Sequence, residues 1–266
     1  MAGKSKPSVP STSKPGGKPA PPRMSLAEVM SALEKAGTAQ ARKIYARHGA
    51  TGPMFGVSFA DLKTQVKRIK VDQELALALW DTGNVDARNL AVKIADPKLM
   101  SPKDLNRWAS DMTQRGCNAY VAHLAVEGPH AESRVDRWLE AKAENIRCCG
   151  WMLVGALAKH NETLSHAWFA HHLATIQKTI HKAPNHEREA MNGAVISIGC
   201  RDAAMRKAAL AAAKQIGPVT VDHGDTDCKT PDAAIYIEKA WANAVEKGFE
   251  SPGAQERNRE SMRTRC

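Results

Sequence analysis

The second helices of successive pairs share an arginine at or near their start, in the motifs DARNLA (Arg88), NIRCCG (Arg147), HEREAM (Arg188) and AAMRKA (Arg206, followed by Lys207). The chemistry open to such a set is electrostatic. In a repeat array, equivalent positions fall in register along one face. Guanidinium groups beside helix N-termini then form a stripe that can hold phosphates. The same arginines stand beside Asp86, Glu144 and Glu187, so ion pairs between repeats are an equally good use of them.

Two further clusters carry polar chemistry. Asn118, Tyr120 and His123 lie about one turn apart in the stretch CNAYVAHLAV and form a polar cluster if that helix faces a cleft. The plainer reading is an ordinary helix with one buried tyrosine and a surface histidine. Asn118 cannot stand in for a carboxylate, since its amide can only hydrogen-bond. The loop VDHGDTDCKTPDA, residues 221–233, gathers Asp222, His223, Asp225, Asp227 and Cys228. Hard and soft ligands are mixed there and no matching pair occurs elsewhere, so a turn docking the last helix is favoured over a metal site. The histidines from His160 to His186 have no glutamate placed as in a HExxH helix and read as solvated or hydrogen-bonded residues. Glycine-rich phosphate loops and a GxSxG elbow are absent, and no cofactor or metal is expected.

The elements that must position these residues follow a period. Trp80, Trp108, Trp138 and Trp168 are separated by 28, 30 and 30 residues, in the frames LALALWDTG, PKDLNRWASD, ESRVDRWLEA and TLSHAWFAHH. A fixed period of this kind marks stacked helical hairpins, because one hairpin cannot bury its apolar face alone. The tryptophans fill the seams. Helices are expected at about 25–36, 38–48, 58–70, 72–82, 85–95, 102–112, 117–127, 131–141, 144–159, 163–181 and 187–199. An alanine-rich helix and another opening at about 231 follow. Ser25-Leu-Ala-Glu28 is a capping box, and Ser101-Pro102 and Thr230-Pro231 are cap-plus-proline starts. The one β-like piece, PVTVD at 218–222, is too short for a strand, so the chain is all-α.

Charge divides the chain. Of the net +10, residues 1–23 carry +5 without an acid and residues 250–266 carry +1, leaving +4 on residues 24–249. Residues 1–23 are expected as a disordered basic Pro/Lys-rich tail, 24–249 as the folded array and 250–266 as a C-terminal tail. The mildly basic body permits a polyanion partner without demanding one. The six cysteines show no CxxC or framework spacing, and no secretory signal is visible. Reduced thiols in a cytoplasmic protein are therefore expected. No run approaches the roughly 20 apolar residues of a membrane span.

The segments FGVSFADLK, ELALALWDTGNVDARNLAVKIADPK, WLEAKAENIRCCGW and REAMNGAVISIGCRD resemble the DNA alkylation repair glycosylases built from HEAT-like repeats, over most of residues 25–217. The resemblance implies a right-handed superhelical stack of HEAT-like hairpins, an α-solenoid. It also implies a concave face that cradles duplex DNA and excision of N3- or N7-alkylated purines without base flipping. In that family an aspartate supports the developing oxocarbenium sugar while tryptophans contact the lesion-bearing backbone. The logic is electrostatic: an alkylated purine is already cationic, and a carboxylate stabilises positive charge moving onto the sugar.

This sequence departs from the family pattern at three places. No tryptophan and no acid occur between Asp111 and Glu127. The family's Asn/Gly-Trp-Ala-Leu-Arg motif reads Asn192-Gly193-Ala194-Val195-Ile196, and its Arg-Arg pair reads Arg147-Cys148. The expected function is a DNA-binding repeat protein holding the phosphate backbone through Arg88, Arg147, Arg188, Arg206 and Lys207. Its excision chemistry is then either lost or rebuilt around Asn118, Tyr120 and His123. The alternative is a non-catalytic scaffold for a protein partner.

Overall fold

The computed structural model describes residues 23–112 and 118–265. Apart from Arg23, the expected N-terminal tail lies outside the described residues, as do Cys117 and Cys266. Fourteen helices are described: α1 Leu26–Ala36, α2 Ala39–Arg47, α3 Phe59–Ile69, α4 Gln73–Asp81, α5 Val85–Ile94, α6 Pro102–Asp111, α7 Asn118–Val126, α8 Ala131–Leu139, α9 Glu144–His160, α10 His166–Thr179, α11 Asn185–Gly199, α12 Ala203–Ile216, α13 Ala233–Glu246 and α14 Pro252–Arg257. The β pairing among the described residues is one isolated bridge, Gly37 with Val57. PVTVD runs as a loop.

Side-chain caps set most helix starts. At α1 the Ser25 hydroxyl accepts from the Glu28 N–H at 3.3 Å, and the Glu28 carboxylate accepts from the Ser25 N–H at 2.8 Å. Such reciprocal capping satisfies two otherwise orphaned donors. Two starts differ from expectation because a better cap lies further on. Helix α10 opens at His166 behind Ser165, the residues before it being held in a turn by the Asn161 side chain. Helix α13 opens at Ala233, capped by Asp232 and not by Thr230.

The hairpins α4/α5, α6/α7, α8/α9, α10/α11 and α12/α13 stack in order. Their second helices line one wall, where α9 packs between α7 and α11, and α10 packs against α12 on the other. Trp80, Trp108 and Trp138 of the first helices are buried in the core, and Trp168 packs against it partly buried. Trp80 and Trp108 stack with centroids 4.1 Å apart and planes 3° from parallel, and both are fully buried. Trp138 is buried too and donates to Asn106 Oδ1 at 2.9 Å. Removing rings of this size from water is among the largest single contributions to a helical core.

The segment 250–265, set apart from the array by its composition, lies across it. After α14 the chain runs back over the C-terminal ends of α9, α7 and α5. Arg257 donates to the Lys159 carbonyl at 2.9 Å, and Arg263 pairs with Glu127 at 2.7 Å and donates to the Val92 and Lys93 carbonyls. In return the fully buried Lys93 ammonium donates to the Arg263 and Arg265 carbonyls at 2.7 and 3.0 Å.

Candidate nucleic-acid interface

The motif arginines occupy one structural position. Arg88, Arg147, Arg188 and Arg206 are each the fourth residue of their helix. Arg206, however, lies on α12, the first helix of its pair, so it does not belong to the second-helix row the motifs suggest. Three of the four turn back onto the end of the preceding helix or its loop. Arg88 donates to the Trp80 and Asp111 carbonyls and pairs with the Asp111 carboxylate. Arg147 donates to the Ala141 and Lys142 carbonyls and to Glu187 Oε2 at 2.7 Å. Arg188 donates to the Ala183 and Thr220 carbonyls. Arg206 pairs with Glu238 and lies over the Trp241 ring at 4.8 Å. These guanidinium groups clamp hairpins together, while Lys207 is exposed.

The neighbouring acids serve the same joints. Asp86 accepts the backbone N–H groups of Phe55, Gly56 and Val57. Glu144 Oε1 accepts from His186 N and Glu187 N, at 2.9 and 3.3 Å. It therefore caps α11, whose own N-cap, Pro184, has no side-chain donor or acceptor to offer. A carboxylate already occupies the helix start where a phosphate would be attracted.

Between α7, α9 and α11 the inner wall opens into a cavity of about 370 Å³. That volume lies in the range of small-molecule and cofactor sites. The structure divides the polar cluster of α7. Asn118 and His123 line the cavity, both buried, so His123 is not the surface residue of the plainer reading. Tyr120 is not among the lining residues and lies against Lys93, the ammonium 4.2 Å from its ring centroid. Burial, with help from Lys159 and His160, pushes His123 down to about 3, so its ring is neutral at ordinary pH. Asn118 Oδ1 is buried without a hydrogen-bond partner among the described residues.

Lining residues that sequence reasoning missed come from the facing helices. Lys159 of α9 and Glu189 of α11 both reach the cavity, as do Gly155 and Gly193. A Cβ added at Gly193 would meet nothing within 4 Å, so the cavity exists partly because no side chain fills that position. His48, at the end of α2, and the loop carrying His223 and Cys228 form part of its lining. That loop is folded on itself and on α11: His223 lies 3.0 Å from Thr230 Oγ1 and 3.7 Å from Glu189, and Asn185 bonds both backbone groups of Asp222. The described residues bring no three histidine, cysteine or acidic side chains together as a metal-ligand set. Burial pushes the lining thiol Cys148 up to about 12, which keeps it protonated and a poor nucleophile.

A family model described as DNA alkylation repair enzyme matches residues 29–236. The chain belongs to the DNA alkylation repair family. Uncharacterised proteins of Listeria innocua and Listeria monocytogenes are similar to it. Each is 29% identical over 204 residues, which is 74% of this chain and 89% of the relative. A solved structure is 30% identical with a TM-score of 0.76, covering 86% of this chain and 98% of its own. It is described as a new family of proteins related to the HEAT-like repeat DNA glycosylases with affinity for branched DNA structures. This member of the alkylation repair family is thus all-helical in its described residues, a stack of HEAT-like hairpins as its tryptophan period implies.

Proposed function

We propose that the protein binds DNA across its inner wall and is suited to bent or branched DNA more than to a straight duplex. The likeness to a HEAT-like repeat protein with affinity for branched DNA, close over nearly the whole of that chain, carries this reading. The surface chemistry supports it. Helix α2 has no acid, its Lys43 and Arg47 are exposed, and it ends at His48 on the cavity lining. Lys142 and Lys182, exposed just before α9 and α11, extend the basic character along the starts of the inner helices. These side chains, more than the clamped arginines, are the groups free to displace counterions from phosphates.

The test is a gel shift with a four-way junction, a three-way junction and a linear duplex of one sequence, for the full chain and for a form beginning at Met24. Tighter, strongly salt-dependent binding of the junctions by both forms is the expected result. Binding that disappears with the first 23 residues would assign DNA affinity to the tail and sink the proposal. One observation favours a protein partner instead: α13 exposes Ile235 and Tyr236. Failure of all three DNAs to shift would make that the better reading.

A further inference from the structure

We propose that the open face of α13 is covered by the same face of a second copy, so that two stacks join end to end through antiparallel α13 helices. The inference stands apart from the DNA reading above, since no α13 residue lines the inner-wall cavity.

The inward side of α13 is fully used. Ile237 lies against Gly199, and the Trp241 indole donates to the Gly199 carbonyl at 2.8 Å. The outward side has the wrong composition for an end, because a terminal repeat that meets only water carries a polar outer face. Here Ile235 is 70% exposed, Val245 63% and Tyr236 51%. They are three of the five large hydrophobic side chains exposed among the described residues, gathered on one helix of 14 residues. Apolar groups collected in this way mark a contact surface.

The chain does not cover that face itself. Beyond α13 it turns at Gly248, whose φ is +77°, with Phe249 N donating to the Ala244 carbonyl at 2.9 Å, and α14 then packs on α9. Helix α14 borders the face where Gln255 meets Asn243 at 3.4 Å, and α12 borders it where Arg206 holds Glu238. Between these borders Lys239, Ala242 and Glu246 stay exposed.

The pattern of the face selects its occupant. At about 100° per residue, Lys239, Ala242 and Glu246 form its midline. A two-fold axis at Ala242 lays the helix antiparallel on its own copy, and Lys239 of each chain then meets Glu246 of the other. On one flank Tyr236 meets Lys247 of the second copy, an ammonium beside an aromatic ring. On the other flank Val245 packs against the stem of Glu238. Ala242 meets itself, and its small side chain lets the backbones approach. A parallel pairing would set Lys239 on Lys239 and Glu246 on Glu246, so charge chooses the antiparallel one. Such a self-matching patch is what an isologous contact requires.

The test is size-exclusion chromatography with light scattering on the full chain, from micromolar to near-millimolar concentration, at low salt and without DNA. A mass rising toward twice the 28.9 kDa of one chain is expected. Lys239→Glu and Glu246→Lys, each alone, set like charges against each other across the axis and should hold the protein at the mass of one chain. Mixed in equal amounts, the two variants should regain the dimer, because every pair is then opposite in sign. That recovery also shows that both variants are folded. A single-chain mass at every concentration, a dimer that neither variant weakens, or a mixture that stays monomeric would each overturn the proposal. So would a dimer lost on removing residues 1–23, which would assign self-association to the tail.

Discussion

Arg147 Nε sits 2.7 Å from Glu187 Oε2, joining the fourth residue of α9 to the third of α11. The same carboxylate takes the Trp151 indole N–H at 3.3 Å on its other oxygen. The pair is mostly buried, so both charges depend on each other and on the carbonyls around them.

Arg147→Ala should therefore act first on stability. It strands a buried carboxylate, and losses of about 3 kcal/mol are usual when one partner of such a pair is removed. Urea unfolding should show the midpoint falling, with Glu187→Gln restoring part of it in the double variant. Weaker DNA binding by Arg147→Ala with an unchanged midpoint would return this arginine to the phosphate stripe.

The Trp80–Trp108 stack should be the costliest seam to break. Trp108→Ala empties a fully buried site between α4 and α6, and about 3–5 kcal/mol of destabilisation is expected. A melting temperature within a degree or two of the parent would contradict the stacked-hairpin account of the core.

Acid should loosen the inner wall. His123 has a folded value of about 3 against 6.5 for a free histidine, through burial, and His172 about 4 for the same cause. A lowered histidine means the unfolded chain binds the proton more readily. Stability is thus complete above pH 6.5 and declines below it, until the folded histidines also charge near pH 3–4. The slope is about 1.4 kcal/mol per pH unit for each group. His123→Gln should flatten the profile between pH 6 and 4, and an unchanged profile would show that His123 is charged in the folded protein.

Binding to junction DNA should weaken with salt, and the double variant Lys43→Ala/Arg47→Ala should make the log–log slope shallower by roughly 0.9 for each phosphate it no longer neutralises. An identical slope would place the DNA elsewhere on the surface.

Alkylated duplex DNA should release little 3-methyladenine or 7-methylguanine in the presence of this protein. The stretch between Asp111 and Glu127 holds no tryptophan and no acid that could support a developing sugar cation. Brisk release, lost in Glu189→Gln, would show that a carboxylate from α11 has taken over the stabilisation of the sugar cation.

Much of this was legible in the sequence where the signal is local. Ser25 with Glu28 and Ser101 with Pro102 mark helix starts because capping is decided within four residues, and the tryptophan period reports a seam that recurs with each hairpin. The arginines were visible, but their use was not. Whether Arg88 meets a phosphate or the Asp111 carbonyl depends on how two hairpins stack, which composition does not encode. The cavity was illegible for a similar reason: Asn118, Lys159 and Glu189 come from three helices, and Gly193 matters only for the side chain it lacks. The segment after Ser251 carries no apolar periodicity, since arginine-to-carbonyl bonds hold it, so its polar composition reads as a tail.

That last segment changes the mechanics of the whole curve. An open solenoid behaves as a spring, each repeat answering only to its neighbours. Here Lys93 of α5 and the Lys159 carbonyl of α9 are fastened to one returning segment through Arg263, Arg265 and Arg257. The chord so drawn fixes the opening of the bow between those helices, and a nucleic acid entering it must adapt its own path, since the protein has little freedom left to wrap.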